Sequence, residues 1–182
     1  MGIQVIEFRK LKRTDKKLLL TFARALTSET KIRWGLLEEP EDIASFIMEE
    51  RHRNGCKKHI QIVGIQNKVA VCYGKLSVFE SDVGYLEGII VRSDLQGRGI
   101  GKQLMAYLES LAEEESCPYV KLEVFKENTL SIDFYAHLGY KKRGQSLSSW
   151  FMRKYLNPKP KKESLFNKIK RILRIRKKNA IC

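Results

Sequence analysis

Apolar residues change their period several times along this chain, and each change marks an element. Ile3–Phe8 reads as a first strand. Thr14-Asp15 offers an N-cap for a helix whose Leu18, Leu19, Phe22 and Leu26 recur at helical spacing. Trp34–Pro40 is a turn, and Pro40-Glu41-Asp42 opens a second helix with Ile43, Phe46 and Ile47 on one face. Asn54-Gly55 marks its end. Two β-rich runs follow, Ile60–Ile65 and Val69–Val78, with Gln66-Asn67-Lys68 between them as a hairpin turn. Val83–Val91 is a third apolar run. Gly99–Glu115 is helical, with Leu104, Tyr107, Leu108 and Leu111 as its buried stripe. Tyr119–Val124 is a strand, Leu130–His137 a short helix closed by Gly139, and Ser149–Tyr155 a last strand. The pattern predicts a mixed α/β domain, strands in hairpins first and a β-α-β unit after them.

Composition sharpens this. At 182 residues and 43% hydrophobic, the chain can bury a core, so wholesale disorder is excluded. No stretch approaches the ~18 consecutive apolar residues of a membrane span, and MGIQVIEFRKLKR does not read as a signal peptide. Ile6 stands where a myristoylation motif starting at Gly2 would need Ser or Thr. Four well-separated cysteines (Cys56, Cys72, Cys117, Cys182) suggest reduced thiols and a cytoplasmic setting.

The formal charge is +14, unevenly placed. Residues 157–182 hold ten basic side chains against Glu163 alone, which leaves 25 basic against 20 acidic residues in 1–156. Asn157-Pro158-Lys159-Pro160 divides a domain of residues 1–156 from a basic extension of residues 157–182. Within the extension Leu165, Phe166, Ile169, Ile172 and Leu173 share one helical face, bordered by cations. Through residues 159–178 such a segment suits an anionic membrane surface, with the protein peripheral to it, or a nucleic acid. Cys182 is the last residue and makes no CaaX box.

The chemistry concentrates in Val91-Arg92-Ser93-Asp94-Leu95-Gln96-Gly97-Arg98-Gly99-Ile100-Gly101-Lys102. A strand ends, a glycine-rich turn follows and a helix begins, which places unpaired amides and a positive helix dipole at one point. That is an anion site suited to phosphates, although a tight strand-to-helix connection could use the same glycines. A Walker A loop fails here, since Gln96 and Gln103 stand where Gly and Ser or Thr are needed. A dinucleotide fingerprint fails at Lys102.

Gln96, Gly97, Arg98, Gly99, Ile100 and Gly101 do fit Q/R-x-x-G-x-G/A. About 30 residues on, Asn128 precedes a helix ending Phe134-Tyr135-Ala136-His137-Leu138-Gly139-Tyr140. In these two motifs and in its order of elements, residues 3–156, the chain resembles the GNAT superfamily of acyl-CoA-dependent N-acyltransferases.

The resemblance implies a central mixed, mostly antiparallel sheet flanked by helices, with the basic amphipathic tail outside it. It implies acetyl-CoA as acyl donor, no metal, and direct attack by a primary amine, whose identity the sequence leaves open. It implies that Gln96, Gly97, Arg98, Gly99, Ile100, Gly101 and Lys102 bind the pyrophosphate. Backbone groups of Ile89, Ile90 and Val91 would pair with the pantetheine arm, and one N–H there would polarise the thioester. Tyr135 would protonate the leaving thiolate, the alternative being simple packing beside Phe134 and Tyr140. Asn128 would contact CoA, or cap its helix.

Glu87 is the candidate base. It sits in the otherwise apolar Tyr85-Leu86-Glu87-Gly88-Ile89, where a carboxylate needs work or a partner. The alternative is an outward-facing Glu paired with a lysine. Gly88 next to it leaves room for a substrate, or makes a bulge. Trp34 would shape the acceptor pocket or pack in the core. His52, Cys56 and His59 have ligand-like spacing but cationic neighbours and no fourth ligand, so they read as a basic turn. From a different class, a non-catalytic acyl-CoA-binding module held in place by its tail fits the same motifs.

Overall fold

The computed structural model describes residues 5–26, 39–48 and 54–157 of the chain. Trp34, His52 and the basic extension beyond Asn157 lie outside the described residues. Strand β1 is Glu7–Lys10, followed by a 3₁₀ turn, Arg13–Asp15, and helix α1, Lys16–Arg24. Helix α2 is Pro40–Met48, and β2 (Cys56–Gln66), β3 (Val69–Phe79) and β4 (Gly84–Val91) form a meander. Helix α3 (Ile100–Glu114), β5 (Tyr119–Phe125), α4 (Thr129–His137), β6 (Lys141–Gln145) and β7 (Ser149–Tyr155) complete the order.

The seven strands make one sheet in the order β1-β2-β3-β4-β5-β7-β6. Every neighbouring pair is antiparallel except β4–β5, where the crossover through α3 makes them parallel. Asn67 and Lys68, at φ 52° and 64°, form the two-residue turn joining β2 to β3. Positive φ at both positions suits the twist of a hairpin.

Two separate cores lie on the two faces. On one, Leu104, Met105, Leu108 and Ala112 of α3 pack on Leu76, Leu86, Leu122 and Met152 of the sheet. On the other, Leu19, Phe22 and Ala23 of α1 and Ile43, Ala44 and Ile47 of α2 cover Val63, Ala70, Tyr73 and Ile90. Each such buried Leu, Ile, Val, Phe or Met side chain contributes about 1.5–3 kcal/mol. Glu109 of α3 ties the first core to its far edge, accepting from the Tyr140 hydroxyl at 2.8 Å and from Lys154 Nζ at 2.7 Å.

The first strand begins at Glu7 rather than Ile3, and Asp15 does not cap α1 with its side chain. Its carboxylate instead takes both nitrogens of Arg9, at 2.7 and 2.9 Å, and the Lys12 amide at 2.7 Å. The Arg9 hydrogen bonds are the main reason its pKa lies below the ordinary carboxylate value. Stability from this latch is therefore complete above the unfolded-state pKa of about 3.9 and is lost as pH falls through the lower folded value. Asp15→Asn should cost about 2 kcal/mol at neutral pH and flatten the acid limb of a stability-versus-pH curve from urea melts.

Candidate active site

The loop after β4 is built by its own side chains. Arg92 holds Asp94 with two bonds of 2.6 and 2.8 Å, and the Gln96 side-chain amide donates to the Val91 carbonyl at 3.3 Å. Gly97 and Gly99 stand at φ 75° and 78°. Nothing lies within 4 Å of a Cβ built at Gly99, so its glycine answers to the left-handed backbone, which reverses the chain into α3. The first amides of α3 have no partner within the helix and carry the positive end of its dipole.

Strand β4 departs from both neighbours here. Between Tyr73↔Ile90 and Lys75↔Glu87 it carries one more residue than β3, a bulge centred on Gly88 at φ 64°. A Cβ on Gly88 would stand 3.0 Å from the Tyr73 ring, so close approach and conformation both call for glycine. Pairing of β4 with β5 ends at Leu86↔Leu122. Beyond it the two strands part, leaving the β4 backbone of Glu87–Val91 without a neighbour on that side among the described strands.

The unpaired end of β4, the start of α3 and α4 enclose a cleft of about 520 Å³. Ile89 and Val91 of β4 line it, with Gln96, Gly97, Gly99, Ile100, Gly101 and Lys102 of the loop and helix start. Tyr135 and Phe134 of α4 close the other wall. Tyr135 is 4% exposed, its ring 5.3 Å from that of Phe134 and 5.8 Å from that of Tyr140. Burial pushes its phenol well above the ordinary value, so it holds its proton at any neutral or mildly alkaline pH.

Four predicted residues do not line the cleft. Arg98 is exposed beside the loop, and Ile90 points through the sheet into the α1–α2 core. Asn128 caps α4, its Oδ1 accepting from the Ser131 amide at 3.1 Å. Glu87 lies on the α1–α2 face and pairs with Lys75 Nζ at 2.8 Å. Its carboxylate also accepts from Ser77 Oγ at 3.5 Å, and Ser77 meets His59 Nδ1 at 3.0 Å.

Sequence reasoning missed Lys75, which is 8% exposed, and the wall residues Leu95, Leu130 and Ser131. A lysine inside the apolar run Val69–Phe79 was the available signal for the first. Among the described residues no group of three His, Cys, Asp or Glu side chains is placed to hold a metal. No described helix is long and apolar enough to cross a membrane. Burial raises the Cys72 thiol to about 12, which makes it an inert core residue.

A strand bulged and splayed at its end, a glycine turn and a helix start all border the same cleft. The Acetyltransferase (GNAT) family model matches residues 22–140, and the chain belongs to that family. The GNAT domain of S. lividans PAT superposes with a TM-score of 0.71 at 17% identity, covering 83% of this chain and 90% of that one. PaiA N-acetyltransferase from Thermoplasma acidophilum, in complex with coenzyme A, gives 0.66 at 19%, covering 84% and 99%. The ribosomal-protein-S18-alanine N-acetyltransferase from Escherichia coli gives 0.64 at 16%, covering 86% and 97%. These identities establish a shared fold. No curated protein sequence matches the chain.

Proposed function

We propose that the protein is a cytoplasmic N-acetyltransferase moving an acetyl group from acetyl-CoA to a primary amine by direct attack, both substrates being bound together. The observation that carries this reading is the meeting of the unpaired end of β4, the start of α3 and Tyr135 in one cleft. The amides of Gln96–Lys102 hold the pyrophosphate, with Arg98 and Lys102 adding charge from the rim. Backbone groups of Ile89–Val91 hold the pantetheine arm as a strand would, and an N–H at the bulge stabilises the developing oxyanion. Asn128, its Oδ1 engaged in the cap, donates from Nδ2. Tyr135 gives its proton to the departing thiolate.

Glu87 stands on the other face of the sheet from the cleft, and in this reading the two communicate where β4 and β5 part. The amine therefore enters from the α1–α2 side, and Glu87 draws its proton through water. The Lys75 ammonium, 2.8 Å away, fixes that carboxylate in place. The ribosomal-protein-S18-alanine enzyme and a further structural neighbour, an aminoglycoside 6'-N-acetyltransferase, take different acceptors, so the shared fold carries the donor chemistry and leaves the acceptor to side chains around the opening. Residues 159–178 add an attraction to anionic membrane or nucleic acid.

The test is calorimetric titration of acetyl-CoA into the full chain at two salt concentrations, followed by thiol release across an amine panel. Saturable binding that survives salt, with amine-dependent thiol release, is the expected result. Glu87→Gln should then lower kcat about 100-fold, with acetyl-CoA affinity unchanged. Salt-resistant binding with no thiol release for any amine would instead make the protein an acyl-CoA-binding module.

A further inference from the structure

On the face that α1 and α2 cover, their core reaches only to β4, and no member of it comes from β5, β7 or β6. The outward side of that half of the sheet therefore has no covering helix among the described residues, and its side chains fall in rows. Lys121 of β5 stands opposite Arg153 of β7, which stands opposite Lys141 of β6. Like charges placed directly across strands repel, and an anion over the row would relieve that repulsion further than the rings of Phe79, Tyr85 and Tyr119 that Lys121 and Arg153 already lie over. No ion pair joins any of the three to an acid among the described residues. The Nε of Arg153 is buried with no hydrogen-bond partner among the described residues.

Aromatic side chains flank the cation row on both sides. Phe125 and Tyr155 are more than half exposed, at 52% and 63%, and Phe151 is 39% exposed. Tyr119 lies under the Arg153 guanidinium, 4.3 Å from ring centroid to Cζ. The only carboxylate on these rows is Glu123, which accepts from the Tyr85 hydroxyl at 3.4 Å. A second copy of this chain, or its own basic extension, would bring more positive charge to the row, the chain being +14 overall.

We infer that the outward face of β5–β7–β6 docks a single-stranded nucleic acid, its phosphates on Lys121, Arg153 and Lys141 and its bases on Phe151, Tyr155 and Phe125. A duplex keeps its bases stacked inside and cannot use the aromatic side chains, whereas a single strand can use both sets. None of these residues lines the cleft, and the inference needs no acetyl transfer to be tested.

The test is fluorescence anisotropy of a labelled oligouridine of about twelve nucleotides with the full chain over a salt series. The basic extension stays in every protein, so its attraction is a constant background. Lys121→Ala with Lys141→Ala should weaken binding about 10-fold and lower the slope of log K against log salt by about 1.4, two phosphate contacts at about 0.7 each. Phe151→Ala with Tyr155→Ala should weaken it about 10-fold or more with the slope unchanged. All four residues are exposed, and unchanged melting temperatures would show that the folds persist.

Wild-type affinity in both double variants would overturn the inference and assign the attraction to the extension. An effect of the lysine pair without one of the aromatic pair, or equal affinity for duplex, would also overturn it. So would loss of binding to phosphatidylserine vesicles in variants that keep their oligouridine affinity, which would make the face a membrane surface.

Discussion

Tyr135→Phe should lower kcat by about 100-fold or more and leave the dissociation constant for acetyl-CoA within about twofold. The substitution removes one oxygen and keeps the ring, whose contacts with Phe134 and Tyr140 hold the α4 wall of the cleft. A loss confined to turnover would therefore report the lost proton donor and not a collapsed pocket. The pH profile adds a second readout. Burial raises the phenol above its ordinary value of 10.0, so activity that needs its proton should persist through pH 10 in the wild-type protein. If Tyr135 only packs against its neighbours, the Phe variant will turn over as the wild type does. Steady-state thiol release over a pH series distinguishes the two outcomes.

Gly101→Val should have a comparably large effect in the opposite parameter, weakening acetyl-CoA by about 100-fold or more. A Cβ at Gly101 already stands 3.2 Å from Phe134 Cζ and 3.7 Å from Val91 Cγ2, and both residues are walls of the cleft. The valine methyls would fill the space over the first amides of α3, and losing two charge-assisted hydrogen bonds to the pyrophosphate is enough for that factor. The helix itself should survive, since valine is no worse than glycine within one. Gly99→Ala supplies the contrast: it meets no neighbour within 4 Å but sits at φ 78°. Its cost of about 1 kcal/mol should appear in the melting temperature more than in affinity. Calorimetry and thermal melts on the two variants separate a blocked site from a strained turn.

Legibility in the sequence followed the apolar period. Strand β7 lies where the alternation puts it, Ser149–Tyr155, and α3 differs from its expected range by one residue at each end. Strand β6 is exposed along all five residues, so it carries no apolar period of its own and exists because β7 offers it an edge. Strand β2 begins four residues before its apolar run because Cys56, Lys58 and His59 pair with β3 whatever their side chains. The same limit applies to the site. Glu87 reads from the sequence as a base or as half of an ion pair, and only the register of β3 against β4 supplies Lys75 as its partner. The cleft loop was fully legible, since its glycines and the helix after it are neighbours in the chain. The parting of β4 from β5 depends on strands more than 30 residues apart in sequence, so no local pattern carries it.

The two cores also bear on how such a protein could change its acceptor. Strand β3 is buried along nearly its whole length and stands between them like a party wall. The side chains that grip α1 and α2 are not the ones that seat α3 and α4. On the proposed entry of the amine from the α1–α2 side, substitutions there can accumulate without disturbing the anion loop or Tyr135. One donor can serve a drifting series of acceptors, each separated from the last by a few exchanges on a single side of the sheet.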